Sequence, residues 1–249
     1  GNEVGMLLLD YVCKRRIALG KMPEKPVLIK TIVTIDMARR IAEDYGVQVI
    51  DVLTGFKFIG EQIGLLEKKG EEDRYIIGFE ESYGYLTGSY VRDKDAVDGS
   101  LMICEMFAYY KTHGQSLLDV LNGLYAKYGY CLNTLHSYEF EGAEGFTKMQ
   151  GIMESFRNNC PAGWVGHNIL SVSDYRESVT HYADGKEEHI DLPKSNVLKY
   201  QLEGNLSVVV RPSGTEPKLK MYFSVSAENR EKAQEMEKAF VGEVENMLK

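Results

Sequence analysis

Two short stretches concentrate groups able to hold and orient a ligand. The first is Gly78-Phe79-Glu80-Glu81-Ser82-Tyr83-Gly84, directly after the apolar run Tyr75-Ile76-Ile77. Adjacent carboxylates and a hydroxyl at a strand end can accept and donate hydrogen bonds to several neighbouring hydroxyls, the pattern a sugar presents. Helix N-termini and solvated turns use the same residue types. The second stretch is Arg211-Pro212-Ser213-Gly214-Thr215-Glu216-Pro217-Lys218. Its guanidinium is a two-pronged donor, Ser213 and Thr215 add hydroxyls, and Gly214 lets successive N–H groups turn toward an anion as a nest. Pro212 and Pro217 stiffen the loop and reduce the entropy lost on capture. A hairpin turn needs only the Pro and Gly of this set; the added Arg, Ser, Thr and Lys read as a phosphate clamp. Carboxylates would repel a phosphate that the cationic loop holds, so the two loops together specify and orient a sugar phosphate.

The elements that must position these loops follow from hydrophobic periodicity. Residues 2–19 place Val4, Leu7, Leu8, Tyr11 and Val12 at helical spacing. Strands are predicted at 27–33, 47–53 and 75–79, with helices from Asp36 to Tyr45 and from loop 54–57 to Lys69. This alternation implies parallel strands, so the loops that follow them emerge at one sheet edge. Thr34, loop 54–57 and Glu80-Glu81-Ser82 are thereby brought to one side of a crevice. A loop is predicted from Gly84 to Lys94, then a helix over 95–112 with Leu101, Ile103, Met106 and Phe107 on its apolar side, then another over 116–128. Residues 1–129 are predicted to form an α/β domain, a parallel-type three-layer sheet with flanking helices.

Past Gly129 the pattern changes. Strands are predicted at 132–140, 167–174 and 178–182, a hairpin at 196–202 and 206–211, and a strand at 218–227. Helices at 145–159 and 228–248 bracket them. Residues 130–249 are therefore predicted to be an α+β domain with a mainly antiparallel sheet and two helices.

Composition narrows the classes further. The 249 residues suit two domains, and 44% apolar with 27% charged residues is ordinary for a globular protein. A net charge of -8 argues against a nucleic-acid partner. No apolar stretch approaches the roughly 20 residues needed to cross a bilayer, so no membrane partner is predicted. The start of the chain has neither a basic region nor an apolar signal core. Four cysteines (Cys13, Cys104, Cys131, Cys160) and five histidines are scattered, which suits reduced thiols in the cytoplasm and no metal site of the chain's own.

Four motifs in order resemble the α-D-phosphohexomutase family, in its phosphoglucomutase and phosphomannomutase branch. The Gly78–Gly84 stretch resembles the family's sugar-recognition loop and the Arg211–Lys218 stretch its phosphate-binding loop. Thr54-Gly55-Phe56-Lys57-Phe58-Ile59-Gly60 and Arg92-Asp93-Lys94-Asp95 match in order and spacing, and G-F-E-E-S-Y-G with R-D-K-D-A is most like bacterial phosphoglucomutases. Gly1-Asn2-Glu3-Val4-Gly5 resembles the start of the family's third domain.

The resemblance implies a four-domain parent of which this chain is the last two, the second being TATA-binding-protein-like. It implies interconversion of glucose 1-phosphate and glucose 6-phosphate through a phosphoserine and a hexose 1,6-bisphosphate, with Mg²⁺. Neither the T-A-S-H-N-P serine loop nor the D-G-D-G-D-R metal loop is present; Asp98-Gly99-Ser100 and Asp184-Gly185 read as isolated turns or caps. The chain alone is therefore expected to be inactive, with no catalytic residue, no metal and no cofactor of its own, and to depend on the missing N-terminal domains. By the resemblance, Glu80 and Ser82 hold sugar hydroxyls, Lys94 is a basic contact, and Thr54 and Gly55 line the pocket. Arg211, Ser213, Gly214 and Thr215 grip the non-reacting phosphate. Some relatives carry a histidine where Phe56 stands, so no proton-transfer role is carried over; Lys57 is an adjacent cation. The alternatives are a phosphomannomutase, phosphopentomutase or hexose bisphosphate synthase fragment, or a stand-alone sugar-phosphate-binding module.

Overall fold

Val27-Leu28-Ile29 heads a strand, β1 (Val27–Thr31), that is buried along its whole length. Such burial is what a strand covered on both faces requires. In a computed structural model of the chain, β1 lies between two parallel neighbours, β2 (Gln48–Val52) and β3 (Tyr75–Glu80). A short β4 (Gly84–Leu86) runs antiparallel to β3 and completes a four-stranded sheet of order β2-β1-β3-β4. The structure describes residues 1–214 and 216–248. They divide into two units, Gly1–Tyr128 and Gly129–Lys249.

In the first unit the helices are α1 (Asn2–Ala18), α2 (Met37–Asp44), α3 (Phe56–Glu67), α4 (Ala96–Thr112) and α5 (Leu117–Tyr128). α1 is buried from Gly5 through Cys13, including Asp10. Burial of that carboxylate is tolerable because Tyr45 donates to it at 2.7 Å and the Lys14 ammonium lies 2.8 Å away.

Three local expectations are corrected. The stretch after Gly84 is not loop throughout, because Tyr83 takes a left-handed φ of 63° and turns the chain back as β4. Three residues are too few to show strand alternation in sequence. Residues 98–100 are not an isolated turn: they lie in the first turns of α4, and Asp98 accepts from the N–H and the hydroxyl of Thr87, both at 2.7 Å. Finally, the core face of α4 is Gly99, Met106 and Tyr110, while Leu101 and Phe107 are exposed. Tyr11 donating to Glu105 at 2.8 Å helps to set that rotation.

The second unit comprises β5 (Tyr130–Glu139), α6 (Gly142–Asn158), β6 (Gly163–Trp164), β7 (His167–Asp174), β8 (Val179–Tyr182), β9 (Glu187–His189), β10 (Leu198–Leu202), β11 (Leu206–Pro212), β12 (Lys218–Ala227) and α7 (Arg230–Glu245). Its sheet is antiparallel, in the order β5-β12-β11-β10-β7-β8-β9, with β6 paired to β7. Met153 and Phe156 of α6 and Phe240 and Val244 of α7 share a core with Tyr200, Val208, Val210, Met221 and Phe223 of the sheet. Each such side chain contributes about 1.5–3 kcal/mol by leaving water. The Tyr200 hydroxyl, carried into this core, donates to the Phe156 carbonyl at 2.9 Å.

Candidate functional site

Because β1, β2 and β3 are parallel, their carboxyl ends share one edge of the first sheet. At that edge the Gly55 N–H, in the loop after β2, donates to Glu80 Oε1 at 2.9 Å. Gly55 has φ 124° and ψ 127°, a conformation open in practice only to glycine, and this turn aims its N–H at β3. Glu80 is buried. Burial pushes its carboxyl above the ordinary range, the Glu81 charge adds to this, and the Gly55 N–H and Lys94 oppose it. The neighbouring Thr54 hydroxyl oxygen is buried with no hydrogen-bond partner among the described residues.

Lys94 reaches the same place from the loop before α4. Its ammonium lies 5.9 Å from the centre of the buried Phe56 ring. A Cβ built on Gly84 would stand 3.1 Å from Lys94 Cδ, 3.2 Å from Phe56 and 3.3 Å from Glu80 Oε2. Gly84 therefore lets β4 pass close to all three. The loop carrying Lys94 is held at both ends: the Asp95 N–H donates to the Tyr85 carbonyl at 3.1 Å, and the Asp95 side chain caps α4 by accepting from Val97 and Asp98. Ser82 is exposed at the turn between β3 and β4. Glu80, Thr54, Gly55 and Lys94 thus converge, with Ser82 at their rim. Phe56 is an apolar floor rather than a proton-transfer group.

A second set lies behind this edge, and of it sequence reasoning places only Thr34 and Glu81 here. Lys30 is fully buried in β1. Its ammonium lies 3.0 Å from Asp51 and 3.5 Å from Asp36, and donates to the Thr34 carbonyl at 3.1 Å. The adjacent Thr31 and Thr34 hydroxyls are 2.7 Å apart, and each lies 3.5 Å from Glu81 Oε2. The signal available in sequence was a lone lysine inside an apolar β-branched run. Its partners come from the next loop and from β2, which the sequence does not pair.

In the second unit the predicted clamp joins β11 to β12, as a hairpin loop should. Ser213 donates its N–H to the Lys218 carbonyl at 2.7 Å, and its hydroxyl accepts from the Glu216 N–H at 3.3 Å. Gly214 stands in open space and its φ lies outside the left-handed region. Thr215 lies outside the described residues. Arg211 sits directly opposite Lys220 in the β11–β12 register. Cross-strand partners share a face of the sheet, and two like charges so placed repel each other. An anion would relieve that repulsion, and Lys220 was not among the residues singled out from sequence.

Among the described residues, no group of three or more His, Cys, Asp or Glu side chains could hold a metal ion. The Mg²⁺ that the resemblance implies finds no ligand set among the described residues. No helix among the described residues is long and apolar enough to cross a membrane.

The family model for phosphoglucomutase/phosphomannomutase, alpha/beta/alpha domain III, matches residues 1–128. The chain belongs to the phosphoglucomutase/phosphomannomutase family. The model for that family's C-terminal domain matches residues 176–242, so the two units carry successive family domains. A phosphoglucomutase of Staphylococcus aureus (strain USA300) is 36% identical over 230 residues, covering 92% of this chain and 40% of that protein. Among solved structures, the exocytosis-sensitive phosphoprotein parafusin (phosphoglucomutase) of Paramecium, in open form, matches with a TM-score of 0.64 at 16% identity, over 98% of this chain and 40% of that one. An Aspergillus fumigatus N-acetylphosphoglucosamine mutase in complex with glucose 1,6-bisphosphate matches with a TM-score of 0.51 at 13% identity, over 100% of this chain and 43% of that one. The chain spans about two-fifths of the length of the curated relatives it matches.

Proposed function

We propose that this chain is the substrate-orienting portion of a cytoplasmic phosphoglucomutase that interconverts glucose 1-phosphate and glucose 6-phosphate through a hexose 1,6-bisphosphate. One observation carries the reading: Glu80, Thr54, Gly55 and Lys94 converge at the strand ends although they lie far apart in sequence. Glu80 accepts from sugar hydroxyls, and the buried Thr54 hydroxyl gains a partner when a sugar is present. Ser82 and Lys94 contact the same sugar from the rim. Arg211, Ser213, Gly214 and Thr215 hold the non-reacting phosphate. The staphylococcal relative named phosphoglucomutase supports this choice of substrate, and the fungal relative bound to glucose 1,6-bisphosphate supports the bisphosphate.

The work of these residues is positioning. Phosphoryl transfer depends largely on orientation and charge stabilisation, so holding sugar and distal phosphate aims the reacting phosphate. The serine that exchanges phosphate, and the Mg²⁺ that supports it, belong to the N-terminal portion of the parent.

Amide NMR of the 249-residue chain tests the site. Glucose 1-phosphate should shift Gly55, Glu81 and Lys94 as well as Ser213, whereas inorganic phosphate should shift only Ser213. Identical responses to both ligands would overturn the sugar assignment. A mutase assay with Mg²⁺ and glucose 1,6-bisphosphate should show no turnover by the chain alone and turnover by the longer polypeptide read from the same gene. Turnover by the chain alone would refute its incompleteness.

A further inference from the structure

α4 carries an outer face built unlike a surface meant for water. Val97, Leu101 and Phe107 are 78%, 64% and 50% exposed. Cys104 and Ala108 of α4 are exposed beside them, and Leu118 of α5 is exposed as well. Positions 97, 101, 104 and 108 follow helical spacing and form one stripe. The charged residues near this side each have a partner. Asp98 is turned to Thr87, Glu105 accepts from Tyr11, and the Lys111 ammonium lies 5.6 Å over the Phe107 ring. By contrast, α7 exposes Glu231, Lys232, Glu235 and Lys238, as a solvated helix does.

Resting on the reading that this chain is part of a longer polypeptide, we infer that the α4 stripe is the docking surface for the N-terminal portion of that same polypeptide. The length outside this chain supplies the occupant, since the curated relatives extend well beyond the 40% of their length matched here. The size of the patch favours a tethered occupant. Five residues on one helix fall well short of the roughly 20–30 a side used by stable interfaces between free chains. A covalently linked neighbour has an effective concentration of order millimolar and needs far less contact. Contacts between domains of one chain are correspondingly small.

Cys104, in the middle of the stripe, reports on its cover. Iodoacetamide labelling followed by mass spectrometry should alkylate Cys104 readily in the 249-residue chain. In the longer polypeptide labelling should be slower by about ten-fold or more, because it must wait for the cover to open. Leu101→Glu in the longer polypeptide should restore fast labelling, with circular dichroism confirming that the variant is folded; Val97→Lys serves if it is not. Equal rates in both wild-type proteins would overturn the docking while leaving the proposed function intact. Protection already present in the 249-residue chain would also overturn it: if lost on dilution it assigns the face to a second copy, and if retained, to this chain itself. A gene with no N-terminal portion would overturn both readings.

Discussion

The Gly55 N–H donates to Glu80 Oε1 at 2.9 Å and so ties the loop after β2 to the end of β3, 25 residues further along the chain. The bond does two things. It fixes one carboxylate oxygen, so the carboxyl group cannot turn freely toward solvent. It also favours the charged form of a carboxyl whose ionisation burial disfavours. A hydrogen-bond acceptor for sugar hydroxyls needs both rigidity and charge.

Gly55→Ala should expose the backbone requirement. Its Cβ would have no neighbour closer than 3.9 Å, so the cost comes from the φ of 124° and not from crowding. A loss of about 1–3 kcal/mol is expected from urea denaturation. Gly123→Ala, in α5 with open space around it, should instead stabilise by roughly 0.5–1 kcal/mol. Equal effects at the two positions would remove the strain argument.

Glu80→Gln should alter the pH dependence of stability. The native carboxyl titrates above its ordinary value of 4.5, so ionisation is penalised in the folded state. Stability from this group is full below that value and is lost as pH rises through the folded-state pKa. The Gln variant lacks the penalty. Its Tm relative to wild type should therefore rise between acidic and neutral pH and level off above the folded-state pKa. A pH-independent difference would contradict the burial account. Glucose 1-phosphate should bind the variant more weakly at neutral pH.

Lys30→Met should be far more damaging than Arg39→Ala, although both side chains pair with Asp51. Lys30 is fully buried, and its loss leaves Asp36, Asp51 and the Thr34 carbonyl short of a cation, at a cost of about 3 kcal/mol or more. Arg39 is 43% exposed, and its removal should cost at most about 1 kcal/mol. Denaturant midpoints of the two variants decide the matter. Loss of the Lys30 anchor should also broaden the amide signals of Thr31 and Thr34, which flank Glu81.

Lys220→Ala should separate binding from stability. Removing one of two opposed cations should stabilise the β11–β12 pair by roughly 0.2–1 kcal/mol. The same change should weaken binding of glucose 1-phosphate by about 1.5–3 kcal/mol in the longer polypeptide, the range for a charge-assisted hydrogen bond. Arg211→Ala should do likewise. Calorimetric titration and thermal melts read the two effects independently, and unchanged affinity would exclude Lys220 from the anion site.

Local sequence was enough to place the catalogue of parts. β-branched runs bounded by Gly and Pro mark β1, β3, β11 and β12, and the order of strands and helices makes β1, β2 and β3 parallel, so the two loops proposed to hold a ligand could be placed at strand ends before any coordinates. Glu80, Gly55 and Lys94 were legible because each sits in a recognisable motif. What only the tertiary structure decided are the partnerships: Lys30 with Asp51, Thr31 and Thr34 with Glu81, Arg211 opposite Lys220, and the rotation that buries Met106 while leaving Leu101 in water. The physical reason is the range of the interactions. Periodicity and turn chemistry act within a few residues, where neighbours along the chain set the preference. Register, helix rotation and the meeting of buried charges depend on contacts between segments far apart in sequence, which are chosen only when the core closes.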